Sequence, residues 1–169
     1  MKPSVKYGLV VASTGILLSL IIYIIGLDKT DTGKYLGWLN IPIMIVLMVV
    51  AIKETREKFF GGYISFGQAF KTVAVMVVIS AAITAVYTYF YFTAINPSMV
   101  DYIHEQQYAE FLDQGMSDQE IERAMQMSSK FTSPGAMTIW TFVGGTVIGL
   151  IIGAIVSAIV KKPDPNRIS

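Results

Sequence analysis

Residues 131–160 of this chain contain no Asp, Glu, Lys or Arg. A helix of about 20 apolar residues, each rising ~1.5 Å, crosses the ~30 Å hydrocarbon core of a bilayer. The uncharged stretch is longer than a helix in a soluble core needs. It therefore predicts a membrane-spanning helix, and the other segments have to be compatible with a bilayer.

Small residues recur at every fourth position within this stretch, at Gly145, Gly149, Gly153 and Ser157. On a helix they form one stripe, which we interpret as a helix-packing face. Membrane helices associate where small side chains let their backbones come close, because lipid tails are as apolar as Leu. Two partners for this face remain open: the first span of the same chain, or a second copy in a homo-oligomer.

Four apolar segments have spanning length, at about residues 5–27, 36–56, 68–95 and 134–160. Charged residues make up only 15% of the chain, whereas soluble domains contain about 25%. We predict an all-α integral membrane protein with four transmembrane helices, a single membrane domain at 1–162 and a short cytoplasmic tail at 163–169. The short second segment also fits a re-entrant or interfacial helix. The final stretch, from residue 161 onward, is rich in Pro and is predicted not to fold.

Residues 97–130 form the one sizeable polar segment. Gly115 interrupts it, and Ser117 and Glu120 have the spacing of a capping box. We predict an extracytoplasmic amphipathic helical hairpin that lies over the membrane surface.

The charge distribution predicts how the chain is oriented. The N-terminus, the 53–71 connection and the tail together carry nine basic and three acidic residues. The 28–34 turn and the 96–130 segment carry four basic and nine acidic residues. Because Lys and Arg stay on the cytoplasmic side during insertion, we expect cytoplasmic N- and C-termini.

The connection between the second and third spans has a distinctive sequence. Gly61 and Gly62 end one helix, and Ser65 can cap the next. Free backbone amides at a helix start, close to Lys71, can bind an anionic headgroup. The alternative is a purely structural turn whose aromatic residues anchor it at the interface. The candidate partner or lipid-headgroup site comprises Gly61, Gly62, Tyr63, Ser65, Phe66, Gly67, Gln68, Phe70 and Lys71.

Residues 61–71 of this connection, together with residues 114–117, 121–122 and 133–134, resemble the bacterial domain of unknown function 4199 family. The resemblance covers nearly the whole chain. It implies a four-span integral protein of the bacterial cytoplasmic (inner) membrane, from a family common in the Bacteroidota. It implies no established activity and therefore assigns no catalytic residues.

Other candidate sites have weaker support. His104 and Glu105 begin like a zinc-protease helix, but Tyr108 replaces the second histidine, so we expect a surface histidine. The hairpin carboxylates lack the spacing of a cation-binding loop and are expected to form a solvated face. We predict no catalytic residue, no metal site and no cofactor. The carboxylates concerned are Asp101, Glu105, Glu110, Asp113, Asp118, Glu120 and Glu122.

The apolar cores of the spans lack the ionisable residues that proton relays and ion-coupled carriers use; Lys71 lies at an edge. The net charge of +1 does not indicate a basic surface that would bind nucleic acid. We therefore predict a non-enzymatic accessory or scaffold protein that lies in the lipid bilayer and serves an unidentified membrane partner.

Three alternatives remain open. A lipid-binding protein would use the connection described above. An enzyme acting on lipid would require charged residues such as Lys53, Arg56 and Lys71 to converge at the membrane surface. A channel or carrier subunit for a small solute would use hydroxyl groups in the spans, namely Ser13, Ser80, Thr84, Thr88, Thr141 and Thr146.

Overall fold

A computed structural model describes residues 1–165, so residues 166–169 of the predicted tail lie outside the described range. Within that range the elements are helical, apart from one isolated β-bridge. They are α1 (Pro3–Ile24), α2 (Asp31–Gly37), α3 (Asn40–Phe59), α4 (Phe66–Phe90), a π-helical turn (Tyr91–Ile95), α5 (Ser98–Asp113), α6 (Asp118–Phe131) and α7 (Pro134–Val160).

Four helical segments are long and apolar enough to cross a membrane, which confirms the predicted all-α fold with four spans. These segments are Pro3–Ile24, Asp31–Phe59, Phe66–Ile95 and Pro134–Val160. The helices form two compact units, one of residues 1–84 with the chain from 143 onward, the other of residues 85–142. The boundaries between the units fall within α4 and α7.

The chain before the second span contains a helix that the sequence analysis missed. Thr30 caps α2, because its Oγ1 accepts a 3.2 Å hydrogen bond from the backbone amide of Gly33. Gly33 permits a close approach, since a Cβ atom there would collide with the Leu27 carbonyl. The predicted span start at residue 36 falls at the end of α2, and α3 begins at Asn40.

The core of the first unit is built from α3, α4, α7 and the connection between α3 and α4. α4 is the most deeply buried of the four long helices. The core residues are Met48, Ala51, Ile52, Ile64, Ala69, Val73, Met76, Val77 and Val156.

The small-residue column of α7 packs against α4. A Cβ atom on Gly149 would lie 2.7 Å from Val77 Cγ1, and one on Gly153 would lie 2.5 Å from Val73 Cγ1. Gly145 is closest to the Ala81 methyl group at 4.0 Å, and Ser157 is 0% exposed. The interpretation that this face meets the first span is therefore wrong for Gly149 and Gly153, because side chains of the third span fill the space beside them.

The first span approaches α4 through its own small residue. A Cβ atom on Gly8 would lie 2.9 Å from the backbone carbonyl oxygen of Met76. α4 therefore has α1 and α7 as direct neighbours.

The second unit contains the hairpin of α5 and α6. The Glu120 carboxylate accepts hydrogen bonds from the Ser117 hydroxyl (2.6 Å) and the Ser117 amide (2.8 Å). These two hydrogen bonds confirm that Ser117 and Glu120 pair at the start of α6, as predicted. Because both donors favour the charged form, the pKa of Glu120 is lowered.

His104 is half-buried rather than a free surface residue. Its Nε2 atom lies 2.6 Å from the Thr132 hydroxyl, and the Ser128 hydroxyl donates to the Gln107 side chain at 2.6 Å. His104 is therefore partly exposed and hydrogen-bonded. Its partner, 28 positions along the chain, follows no local pattern that the sequence analysis could use.

Candidate functional site

Four helix ends meet at one end of the first unit: the starts of α1 and α4, and the ends of α3 and α7. Lys6 Nζ lies 3.1 Å from Glu54 Oε2, which joins α1 to α3. Ile64 and Lys162 exchange two backbone hydrogen bonds of 2.8 and 2.9 Å, which join the connection to the chain after α7. We call this region the basic end because of the cations in or next to these helix ends, Lys2, Lys6, Lys53, Arg56, Lys58, Lys71, Lys161 and Lys162.

Carboxylates at the basic end are held by neighbouring donors. Glu54 accepts hydrogen bonds from Tyr7 Oη and Lys58 Nζ, both at 2.7 Å, in addition to the bond from Lys6. Glu57 pairs with Arg56 at 2.9 Å. The charges of these carboxylates are therefore compensated locally.

The glycine pair of the connection sets its turn. Gly61 and Gly62 have φ angles of +61° and +91°, which lie in the left-handed region that favours glycine. The turn redirects the chain directly after α3, which accounts for the two glycines geometrically.

Ser65 and Gln68 cap α4 reciprocally. The Ser65 amide donates to Gln68 Oε1 at 2.9 Å, and the Gln68 amide donates to Ser65 Oγ at 3.4 Å. The predicted Ser65 cap is confirmed. The bond from the Ser65 amide to Gln68 was not predicted, although the Ser-x-x-Gln spacing is typical of a capping box.

The C-terminal segment holds the connection in place. Ile64 is 1% exposed, and both of its backbone polar groups bond to Lys162. Lys162 Nζ also lies 5.4 Å from the centroid of the Tyr63 ring, within cation–π range. The prediction that the chain does not fold from residue 161 onward is therefore wrong at residue 162.

A pocket of about 520 Å³ opens between the start of α1, the end of α3 and the start of α4. Its apolar lining comprises Pro3, Val5, Phe59, Phe60 and Val75. Its polar lining comprises Lys2, Ser4, Thr55, Gln68, Lys71 and Thr72. We call it the lysine pocket because both charged residues that line it are lysines.

Thr55 lies in the lining of this pocket, and its hydroxyl oxygen is buried. The residue is only 7% exposed, and among the described residues its Oγ1 atom has no hydrogen-bond partner. Thr72, by contrast, donates to the Gln68 carbonyl at 2.9 Å. A buried hydroxyl without a partner costs about 1–3 kcal/mol.

A second pocket of about 500 Å³ shares Phe59, Phe60 and Gln68 with the lysine pocket. Tyr63, Ile64, Ser65, Pro163 and Asp164 complete its lining. Gln68 therefore borders both cavities, Lys71 lines the lysine pocket, and Tyr63 and Ser65 line the second one. The lining of these two pockets does not include Gly61, Gly62, Phe66, Gly67 or Phe70. The rings of Phe66 and Phe70 stack with a centroid distance of 5.9 Å.

The sequence analysis missed most of the lysine pocket, including Lys2, Ser4 and Thr55. Thr55 and Phe59 are four residues apart and therefore share a helix face, and this spacing can be seen in the sequence. The proposed convergence of Lys53, Arg56 and Lys71 is not found at this site, because neither Lys53 nor Arg56 lines the pocket.

A family model described as "Protein of unknown function (DUF4199)" matches residues 6–162. The match confirms the resemblance seen in the sequence. It includes the α3 and α4 residues of the lysine pocket, whereas residues 2–5 precede it. No curated protein and no solved structure matches the chain.

Proposed function

The chain belongs to the DUF4199 family of proteins of unknown function, and from its own geometry we propose that it is a non-enzymatic membrane protein that binds a lipid in the lysine pocket. The observation that carries the proposal is the lining of that pocket. It combines an apolar wall with two lysines. A lipid has the matching parts, an apolar chain and a polar headgroup.

The size and place of the pocket support this assignment. Small-molecule sites enclose roughly 300–1,000 Å³, and the lysine pocket has about 520 Å³. It lies at helix ends, where lysine side chains extend toward lipid headgroups. A lipid can therefore enter from the bilayer without crossing the packed core.

The lining favours binding over chemical conversion. Ser4, Thr55 and Thr72 carry hydroxyl groups, but among residues 1–165 no His, Asp or Glu lines the pocket to activate them. A lipid held without conversion suits an accessory or scaffold role for another membrane component.

The packing of α4 against α7 favours lipid binding over solute conduction. At Gly149 and Gly153 the helices touch through Val77 and Val73, which leaves no path between the helices at this level. The Ser80 hydroxyl donates to the Val77 carbonyl at 2.9 Å, so it is bonded within its own helix.

The proposed topology places the basic end and both termini in the cytoplasm, with the acidic hairpin outside. The proposed membrane is the bacterial cytoplasmic (inner) membrane. The positive charge of the basic end supports this orientation. Since the chain has no cysteine, single-cysteine variants can test it directly. We expect an impermeant maleimide to label Glu105→Cys in intact spheroplasts and to label Lys161→Cys only after lysis. Labelling of Lys161→Cys before lysis would contradict the topology.

Native mass spectrometry of the purified full chain tests lipid binding. We expect a tightly held lipid to survive detergent exchange in the wild type. Val75→Trp should lose this lipid, because Val75 lines the pocket and is 39% exposed, so the indole can fill the cavity without entering the core.

The matched control is Val78→Trp, on the same helix and 44% exposed, but outside the pocket lining. This variant should keep the lipid. If Val75→Trp retained as much lipid as Val78→Trp, the lysine pocket would not be the binding site.

A further inference from the structure

We propose that the lysine pocket selects an anionic phospholipid, with the headgroup phosphate at the two lysines and an acyl chain along the apolar wall. The inference rests on the proposed lipid binding and adds the charge and class of the ligand. Three independent features of the pocket support it.

The first feature is an uncompensated positive charge. Lys2 precedes α1 and Lys71 lies in the second turn of α4, and within the described part of the chain no Asp or Glu lines the pocket. The nearby carboxylate of Glu54 already binds Lys6, Tyr7 and Lys58, and that of Glu57 binds Arg56. An anionic ligand is therefore the natural partner for the two lysines.

The second feature is the convergence of two helix N-termini. Pro3, Ser4 and Val5 belong to the first turn of α1, and Gln68 belongs to the first turn of α4. Both helices are long, with 22 and 25 residues, so each presents the positive end of a full helix dipole. Phosphate groups bind at such N-termini.

The third feature is the apolar part of the lining. The apolar side chains of Phe59 and Val75 lie in the same pocket and match an acyl chain. This apolar part assigns the site to a phospholipid and not to free phosphate.

The test compares phosphatidylglycerol with phosphatidylcholine of identical acyl chains, titrated into delipidated full-length protein and followed by native mass spectrometry. A lysine near a membrane surface contributes about five-fold to anionic lipid affinity, so two lysines predict a preference of about 30-fold. Lys2→Gln with Lys71→Gln should bring the two lipids to nearly equal affinity. The control, Lys53→Gln with Lys161→Gln, removes the same charge from the same end, outside the pocket lining, and should keep the preference.

Equal affinity of the wild type for both lipids would overturn the anionic selection, as would an equal loss in the control variant. In either case, loss of the retained lipid in Val75→Trp would still support lipid binding in the lysine pocket. Failure of the binding site itself would appear as lipid retention that Val75→Trp leaves unchanged. Displacement of phosphatidylglycerol by millimolar inorganic phosphate would show that the site takes a free anion, which also contradicts the proposal.

Discussion

Gly153→Leu is expected to lower the free energy of unfolding by about 3 kcal/mol, at the upper end of the usual cost of overpacking. The first atom of the new side chain would already lie 2.5 Å from Val73 Cγ1 and 4.0 Å from Met48 Cε. Since Val73 and Met48 are fully buried, they have no free space to move into. α7 must therefore move away from α4. Reversible unfolding in mixed micelles measures the loss.

Gly144→Leu is the matched control on the same helix. A Cβ atom at Gly144 meets no other atom within 4 Å, so we expect a change within about 0.5 kcal/mol. The milder Gly153→Ala should regain stability when combined with Val73→Ala, because the second change removes the clashing methyl groups. Equal stability of Gly153→Leu and Gly144→Leu would contradict the packing of α7 on α4.

Ending the chain before Lys162 is expected to cost about 1–3 kcal/mol, since it removes two backbone hydrogen bonds of about 0.5–1.5 kcal/mol each. The lost bonds are those of the buried Ile64 amide and carbonyl to Lys162. The connection before α4 then loses its link to the end of α7. Faster hydrogen exchange of the Ile64 amide, together with a lower melting temperature, measures the change.

The control ends the chain after Pro165 and keeps the bridge between Ile64 and Lys162. It should match the full chain in both measurements. Lys162→Gln should also keep Ile64 protected from exchange, because it changes only the side chain. If the Ile64 amide exchanged equally slowly without Lys162, the bridge would not hold the connection.

Local patterns in the sequence were sufficient for the spans and for several helix starts. The uncharged stretch at 131–160 predicted α7, and Ser117 and Glu120 pair at the start of α6 as their spacing predicted. The Ser65 cap lies where the sequence placed it. Each of these features depends on residues within one continuous segment of the sequence.

Features that join distant parts of the chain did not follow from such patterns. The small-residue face of α7 was recognised, but its partner helix was not, because the valines of α4 carry no signal that marks them as its neighbours. The bridge from Ile64 to Lys162 joins single residues about 100 positions apart.

For the same reason, only part of the lysine pocket could be predicted from the sequence. Lys71 and Gln68 were singled out because they follow a glycine-rich turn. Lys2, Ser4 and Thr55 join them only when α1 and α3 are brought beside the start of α4. Thr55 also lies within a run of charged residues, and this pattern indicates ion pairs and not a hydroxyl group in a pocket.

The central claim is that an anionic lipid binds at the lysine pocket, and amide chemical shifts of the ¹⁵N-labelled full chain test it most directly. Phosphatidylglycerol would be added to protein in micelles that already contain phosphatidylcholine. We predict shifts concentrated at Thr55, Gln68, Lys71 and Thr72, with Val46 and Val147, exposed residues of α3 and α7 outside the pocket lining, unchanged. Shifts spread evenly over the lipid-facing residues, or absent from the four pocket residues, would contradict the account.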